Sequence, residues 1–357
     1  MEEIPQPGPW DFNASFTDIP EPVRYASFVL SVVTCALGLV GNALVIWVTG
    51  FHMKKYTCKI WFLNLAVADF AFALCLPLYC VALFTDNWPF GRYSCKVYNY
   101  VSTCNMYASI FIITTLTIDR GLATAKPIWH HKFASRRICY STCAVIWVIT
   151  ALSSLPVFLL SEEVIHGEKV QCKLVYVEQE LITLSIREKA VNSSDEFMTM
   201  GSLDTIPPPD ITSETSFLTK CILIPFLVVG YFIPLLVILF SNIIIAHQAG
   251  KSQSVKSPRL YRIIIVVILF FFLTWTPVVI AQIILLVSLN NHNLILISQI
   301  HRIMPLMTSI AYTNSCINPF IYALAGTQVR GEITEYISSI SQLFSKSSAS
   351  RTSSVEP

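Results

Sequence analysis

The sequence predicts an all-α membrane protein, a seven-transmembrane helix bundle followed by a short amphipathic eighth helix. Of its 357 residues 54% are hydrophobic and only 13% are charged, and the mean hydropathy is +0.60. A soluble domain carries about 25% charged residues, so this composition excludes an ordinary soluble protein. Seven apolar stretches are each long enough to cross a hydrocarbon layer about 30 Å thick. These stretches, spans 1 to 7, cover about residues 26–49, 60–84, 95–122, 137–160, 218–247, 260–288 and 298–325.

The charges that flank the spans predict how the bundle is oriented. The connections after spans 1, 3 and 5 are rich in lysine and arginine, whereas residues 1–25 and the connection 161–217 are acidic. Basic connections stay in the cytosol. The chain is therefore divided into an extracellular tail (1–25), a bundle (26–325) and a cytoplasmic tail (326–357). Two glycosylation sequons, at Asn13 and Asn192, fall on the outer side.

The outer connection 161–217 is far longer than an ordinary loop, and such loops are usually functional or disordered. Its first part, 161–177, predicts a hairpin around His166 that leads to Cys172. Cys95 and Cys172 both face an oxidising compartment, where a disulfide between them is stable and fixes the loop across the bundle mouth. The acidity of the loop either attracts a cationic ligand or only keeps the loop soluble.

Within the cytoplasmic tail, apolar residues recur at three- and four-residue spacing over 327–344. This spacing predicts the eighth helix, lying on the inner membrane surface. The Ser-rich end that follows is a candidate kinase substrate.

Several polar residues lie inside spans that are otherwise apolar. A charged residue near the middle of a membrane helix costs roughly 2.5–3.5 kcal/mol on insertion scales, so it stays only where it faces the bundle interior and finds partners. The polar residues within the spans are Asn42, Asp69, Asn105, Ser109, Asn314, Ser315 and Asn318, and Asp69 is the charged one among them.

Each span also carries a recognisable marker. Span 3 ends in Ile118-Asp119-Arg120-Gly121, span 6 contains Trp275-Thr276-Pro277, and span 7 contains Asn318-Pro319-Phe320-Ile321-Tyr322. The other four spans contribute Asn42, Asp69, Trp147 and Pro234. Together, in this order over about residues 25–340, the markers resemble those of rhodopsin-like G-protein-coupled receptors. The resemblance implies a plasma-membrane receptor without an enzymatic step.

The residues themselves point to a switch. Arg120, at the cytosolic edge, pairs with Asp119 in a closed state and is released towards a partner in an open one. Prolines 234, 277 and 319 remove backbone hydrogen bonds and provide places where helices pivot. By resemblance, Trp275, Ile110, Pro234 and Phe271 relay ligand contact inward, and Tyr322 rearranges on activation.

The resemblance also implies a sodium pocket that favours the inactive state. Its predicted residues are Asp69, Asn105, Ser109, Asn314, Ser315 and Asn318. The alternative is a water-filled hydrogen-bond network without a bound ion.

Several stretches are similar to the chemoattractant branch of this family, and within it to the complement anaphylatoxin receptors. Two of them are Trp88-Pro89-Phe90-Gly91 and Lys126-Pro127-Ile128-Trp129. The long acidic outer loop is most similar to that of the C3a receptor. The resemblance therefore implies a peptide ligand, C3a first, an inhibitory G protein, and arrestin and receptor kinases at the tail. The alternatives are chemerin, C5a or a formyl peptide, or a ligand-scavenging, arrestin-recruiting receptor that couples weakly.

The chain departs from that branch at several positions. Phe226 stands where a basic residue high in span 5 is expected, and Lys220 is the nearest base. Basic and acidic residues are expected at the tops of spans 4 and 7, and the corresponding positions in this chain are Ser161 and Met304. Arg302 is either a substitute in span 7 or an arginine that extends to the interface. The candidate ligand residues are therefore Lys220, Phe226, Arg302 and Met304. At the cytosolic end of span 5, Asn242 stands where a tyrosine is usual. At the end of span 3, Gly121 stands where a larger residue is usual.

Overall fold

The structure is a computed structural model, and it describes residues 19–52, 59–133, 135–166, 169–174, 220–251, 258–291 and 293–325. Spans 1 to 4 are helices α1 (Glu21–Trp47), α2 (Lys59–Thr85), α3 (Arg92–Ala125) and α5 (Arg136–Leu160), and α1 continues into a π-helical turn (Val48–His52). A short helix, α4 (Pro127–Phe133), connects spans 3 and 4. Span 5 starts at residue 220, passes through a π-helical turn (Val228–Phe232) and continues as α6 (Ile233–Lys251). Span 6 is α7 (Pro258–Asn290), and span 7 consists of α8 (Leu294–Tyr312) and α9 (Asn314–Ala325).

The helical architecture confirms the predicted fold class. Among the described residues, six helices are long and apolar enough to cross a membrane, and they correspond to spans 1 to 6. Span 7 is divided at Thr313, whose backbone N–H and hydroxyl both donate to the carbonyl of Ile310, at 3.1 and 2.6 Å. This tight turn interrupts the regular bonding pattern of the helix just before the polar residues Asn314 and Ser315. The polar interruption of span 7 that the sequence shows is thus a break in the helix.

Span 3 lies at the centre of the bundle. Its apolar window is 56% buried, compared with 28% for spans 1 and 4, which present most of their surface outward. The main core gathers side chains from spans 1 to 7 around Ile110, Ile113 and Phe271, each almost fully buried. Span 3 accordingly contacts spans 2, 4, 5 and 6.

Span 1 begins earlier than its apolar stretch indicated. The helix starts at Glu21 rather than near residue 26. Hydropathy misses this first turn because the turn is polar. The guanidinium of Arg24 donates to the carbonyls of Leu83 and Phe84, at 3.2 and 3.0 Å, which attaches the start of span 1 to the end of span 2.

The first part of the long outer connection is a β-hairpin, as predicted. Strands β1 (Ser161–His166) and β2 (Lys169–Leu174) pair antiparallel, with Glu163 opposite Cys172. The rest of this connection, the predicted eighth helix at 327–344, and the sequons at Asn13 and Asn192 lie outside the described residues.

Candidate functional site

The hairpin forms a roof over the outer end of the bundle. A disulfide joins Cys95 at the start of span 3 to Cys172 on β2, with the two Cα atoms 5.5 Å apart, which confirms the predicted pairing. Asn87 accepts a 2.7 Å hydrogen bond from the backbone N–H of Val170, and the N–H of Trp88 donates to the Val170 carbonyl at 2.8 Å. The disulfide and these two hydrogen bonds therefore hold β2 against spans 2 and 3, and β1 is held through its pairing with β2.

Three ion pairs strengthen the roof. Glu162 on β1 binds Lys96 at 2.9 Å and also Arg92, both on span 3. Partial burial raises the pKa of Glu162, but the hydrogen bonds and positive charges of Lys96 and Arg92 outweigh that effect and hold the pKa below its ordinary value. Lys169 on β2 pairs with Asp86 after span 2. The roof is thus fastened by charges as well as by the disulfide.

A cavity of about 370 Å³ lies beneath the roof, between spans 2, 3 and 7. This volume falls in the range of small-ligand sites, roughly 300–1,000 Å³. Aromatic residues form much of its wall. The rings of Tyr79 and Tyr98 stack with centroids 5.7 Å apart, and the hydroxyl of Tyr98 donates to that of Tyr312 at 3.1 Å. The cavity is a candidate ligand site because it is concave, aromatic and open towards the predicted outer side.

The four predicted ligand residues do not all meet at this cavity. Met304 lies on its wall. Lys220 is partly exposed at the start of span 5, and Arg302 is exposed on span 7. Phe226 lies deeper in span 5, with its ring centroid 6.5 Å from Tyr107 and 6.2 Å from Trp275.

Three of the four predicted relay residues, Ile110, Phe271 and Trp275, belong to the main core cluster. Trp275 stacks on Phe271 with ring centroids 5.9 Å apart. Ile110 and Phe271 are almost fully buried in the main core, and Pro234 is buried directly after the π-helical turn of span 5. Phe226 contacts Trp275 from above, so the structure connects the inner wall of span 5 to the relay.

The buried polar residues form a network in the middle of the bundle. Asp69 accepts hydrogen bonds from the amides of Asn105 at 2.8 Å and Asn318 at 2.9 Å. The hydroxyl of Ser315 donates to the amide oxygen of Asn105 at 2.9 Å. All four residues are at most 5% exposed. The network therefore ties spans 2, 3 and 7 together through one carboxylate.

The chemistry of this network fits a sodium ion. Within the described structure, Ser109 Oγ, Asn314 Oδ1 and Asn318 Oδ1 are buried without a hydrogen-bond partner. Ser109 lies one helical turn from Asn105, and Asn314 lies one turn from Asn318, so they share the faces of the bonded residues. Hard cations prefer oxygen ligands, and a buried acceptor without a donor is costly. Asp69 and these oxygens would hold the ion, and the ion would place a positive charge beside the buried carboxylate of Asp69.

Asn42 connects this network to span 1. Its amide donates to the Ser315 carbonyl at 2.7 Å and to the Gly38 carbonyl at 2.9 Å. In a similar way, the indole N–H of Trp147 in span 4 donates to Asn64 in span 2 at 2.9 Å. Both marker residues thus fix their spans to a neighbouring span.

At the cytosolic end, Asp119 forms the predicted ion pair with its neighbour Arg120. A second partner was not predicted: Nε2 of His130, on the short helix α4, lies 2.9 Å from Asp119 Oδ1. The helix of span 3 ends at Ala125, and Lys126 caps it. Helix α4 starts at Pro127 and brings His130 back towards span 3. A proline and a basic last turn were the signals available in the sequence for this helix.

The other cytosolic markers are only partly described. Tyr322 lies in helix α9, and its side chain is outside the described part of the structure. The amide of Asn242 donates to the Ile238 carbonyl of its own helix at 2.9 Å. A Cβ atom at Gly121 would lie 3.8 Å from Ser241, so span 5 leaves room there for a larger residue.

Comparison with known proteins agrees with this geometry. The family model described as 7 transmembrane receptor (rhodopsin family) matches residues 41–190 and 207–322. Chemerin-like receptor 1 of Sus scrofa is 31% identical over 317 residues, which cover 85% of this chain and 78% of that protein. C5a anaphylatoxin chemotactic receptor 1 of Rattus norvegicus is 30% identical over 321 residues, 90% of this chain and 81% of that protein. The C3a anaphylatoxin chemotactic receptor of Danio rerio is 29% identical over 327 residues, 91% of this chain and 79% of that protein.

The matched ranges contain the residues of the predicted switch, relay and sodium pocket and both cysteines of the disulfide, and they cover the described helices except residues 21–40 and 323–325. The chain belongs to the rhodopsin family of seven-transmembrane receptors, in its chemoattractant branch, and is therefore a multi-pass plasma-membrane receptor and not an enzyme.

Proposed function

We propose that this chain is a receptor for a chemoattractant peptide that signals through an inhibitory G protein. The observation that carries the proposal is the Asp119–Arg120 pair, held closed at the cytosolic end of a bundle whose outer end has a roofed cavity. A site at each end, joined by a buried polar network, is what a transmembrane switch requires. The similarity to receptors named for chemerin, C5a and C3a supports the ligand class.

The long acidic connection led us to expect C3a. Identities of 31%, 30% and 29% to the three kinds of receptor favour none of the three ligands. The proposal therefore names the group of ligands, with C3a as one member. The acidic connection supports a ligand with a net positive charge, because a field of opposite sign raises the association rate.

The test is suppression of cAMP in cells that express the chain, with C3a, C5a, chemerin and a formyl peptide as ligands. A response that pertussis toxin abolishes, and that an Arg120→Gln variant lacks at equal surface expression, supports the proposal. A toxin-resistant response contradicts inhibitory coupling, and silence to all four ligands contradicts the ligand class.

A second candidate is a ligand-scavenging receptor that recruits arrestin and couples weakly to G protein. Asn242 favours it, because this short amide, bonded to its own helix, replaces a tyrosine that supports the active state in the family. Arrestin recruitment without cAMP suppression, together with a gain of suppression in an Asn242→Tyr variant, would support this reading.

We further propose that the network around Asp69 holds sodium and that sodium favours the closed state. The buried oxygens of Ser109, Asn314 and Asn318 support this proposal, since each has no hydrogen-bond partner in the described structure and an amide or hydroxyl oxygen is the kind of ligand that a hard cation prefers. When bound, the ion supplies a positive charge beside the carboxylate of Asp69. The residues of spans 2, 3 and 7 would then be held in their present arrangement.

A further inference from the structure

An exposed serine stands at the start of span 4, on the predicted cytosolic side. Ser135 is the N-cap residue of helix α5, and its hydroxyl oxygen accepts a 3.4 Å hydrogen bond from the backbone N–H of Ile138. This bond is longer than the usual range of about 2.7–3.2 Å and is therefore weak. Ser135 and the three residues after it are all exposed. The hydroxyl is thus accessible, and fraying of the helix end is enough to release it.

The segment around Ser135 is basic. Arg137 is exposed and lies two residues after the serine, and the sequence has no aspartate or glutamate within residues 121–160. Lys132 and Arg136 also carry positive charge, but each of them takes part in another interaction. Because kinases select their substrates partly by charge, a kinase with an acidic substrate groove would favour this segment.

We propose that Ser135 is a phosphorylation site for a kinase that prefers basic substrates, and that Arg137 is the base this kinase recognises. The kinase transfers the γ-phosphoryl group of Mg²⁺-bound ATP to the hydroxyl oxygen of Ser135. A bond forms between this oxygen and the γ-phosphorus, and the bond from the γ-phosphorus to the oxygen that bridges it to the β-phosphorus breaks. ADP leaves with the bridging oxygen, and the hydroxyl proton passes to the catalytic aspartate of the kinase.

The start of α5 also suits the phosphorylated product. A phosphoserine at pH 7 carries about −1.5 to −2 charges and three strong acceptor oxygens. At the N-cap these oxygens meet backbone N–H groups of the first turn, such as that of Ile138, and the positive end of the helix dipole. Arg137 adds a favourable charge in the same turn. Phosphorylation of Ser135 therefore stabilises the start of span 4.

The phosphate also lies close in sequence to the switch. Helix α4 ends at Phe133, two residues before Ser135, and its last turn contains His130, His131 and Lys132. Negative charge is favourable beside such a turn. His130 of this turn lies 2.9 Å from Asp119. The modification thus places its charge between the helix that contributes His130 to the switch and the start of span 4.

The test is incubation of the purified full chain, in phosphatidylcholine nanodiscs, with ATP and the catalytic domain of protein kinase C, a kinase that prefers basic substrates. Phosphate is located by mass spectrometry after chymotrypsin digestion. Cleavage after Phe133 and Tyr140 releases the peptide 134–140, in which Ser135 is the serine and no threonine occurs. Arg137→Gln should lower the initial rate at this peptide about tenfold, the effect of losing one charge-assisted hydrogen bond to the kinase.

The chain offers matched controls. Ser141 is exposed on the same helix, but Ile138 and Cys143 stand where a base would precede or follow it, so the peptide 141–147 should stay unmodified. Ser135→Thr keeps a hydroxyl and should be phosphorylated. Ser135→Asn keeps a capping side chain without a hydroxyl and should not be.

Melting temperatures test the fate of the phosphate. Kinase treatment should raise the melting temperature of the unmodified chain by about 1–2 °C relative to treated Ser135→Asn, because an anion at a helix N-terminus is stabilising. The comparison uses treated chains on both sides, so phosphate at other serines cancels. An equal change in Ser135→Asn contradicts stabilisation of the helix start by the phosphate.

The unmodified chain decides the main outcome without any variant. Absence of phosphate from the peptide 134–140, while a basic control peptide in the same tube is phosphorylated, overturns the proposal. Equal phosphorylation of the peptide 141–147 also overturns it, since exposure alone would then select the serine. An unchanged rate in Arg137→Gln contradicts recognition through Arg137.

Discussion

Replacing Asp69 by asparagine should abolish any stabilisation of this receptor by sodium. Both carboxylate oxygens of Asp69 accept an amide hydrogen bond, from Asn105 and from Asn318. An amide at this position would point an N–H₂ group at one of those donors, and a buried donor without an acceptor costs about 1–3 kcal/mol. Asp69→Asn should therefore lower the melting temperature in every salt, besides removing the charge that attracts the ion.

The magnitude of the sodium effect follows from mass action. An ion present at 100 times its Kd stabilises the folded state by about 2.7 kcal/mol. At roughly 2 °C per kcal/mol for a larger domain, this corresponds to a rise of about 5 °C. The assay compares melting temperatures of the purified chain in sodium chloride and in potassium chloride at equal ionic strength, so that general screening cancels.

Two matched variants make the test specific to the pocket. Ser109→Ala removes an oxygen that makes no hydrogen bond in the described structure, so it should change stability in potassium little and still reduce the sodium shift. Ser309→Ala removes a buried hydroxyl that bonds Ser31 at 3.1 Å, away from Asp69, and should keep the shift. The reasoning is refuted if the unmodified chain melts at the same temperature in both salts, or if Asp69→Asn retains the full shift.

Three further predictions concern other parts of the bundle. Gly41→Ala should cost about 1–3 kcal/mol by overpacking, measured by thermal unfolding, because its Cβ would lie 2.9 Å from Pro319; Gly50→Ala, with open space around it, should be neutral. His130→Ala should raise basal nucleotide exchange about fivefold, measured by GTPγS binding, since it removes one partner of Asp119 worth about 1 kcal/mol. Glu162→Gln should lower the melting temperature at pH 7, and the difference from the unmodified chain should close as pH falls below the ordinary pKa of 4.5.

The sign of the last prediction follows from the lowered pKa of Glu162. A carboxylate that is more acidic in the folded state stabilises that state above its unfolded pKa, and this contribution is lost as the carboxylate protonates. A difference that grows on acidification would contradict the ion pairs with Lys96 and Arg92. Equal costs for Gly41→Ala and Gly50→Ala would contradict the close approach of spans 1 and 7, and unchanged basal exchange in His130→Ala would contradict the role of His130.

The fold could be predicted because its determinants are local. A run of about twenty apolar residues is enough to predict each span. A carboxylate inside a span, such as Asp69, must face the bundle interior, where amides are its available partners. The disulfide also followed from the sequence, since Cys95 and Cys172 both face the outer side. These inferences need the type of residue and its side of the membrane, but not its angle around a helix.

The residues that line the outer cavity could not be predicted in the same way, because they depend on helical phase. Arg302 and His301 are neighbours in sequence, yet His301 lines the cavity and Arg302 is exposed. That phase is set by how the helix packs in the bundle, which apolar periodicity does not reveal. His130 was missed for a related reason: its contact with Asp119 requires the short helix after Lys126-Pro127, whose seven residues are too few for a clear periodic pattern.

The geometry of span 7 offers a direct route from the cavity to the polar network. Tyr312 lines the cavity, packs on Phe72 with ring centroids 4.7 Å apart, and is the last residue before the break at Thr313. Ser315, three residues further on, bonds Asn105 in the network. A ligand that displaces Tyr312 would rotate α9, because the helical hydrogen bonds are already interrupted at Thr313. That rotation would shift Asn318, which donates to Asp69, and Ser315, which donates to Asn105. Because coupling free energies are reciprocal, sodium should then weaken the binding of an activating ligand by the same factor by which that ligand weakens the binding of sodium.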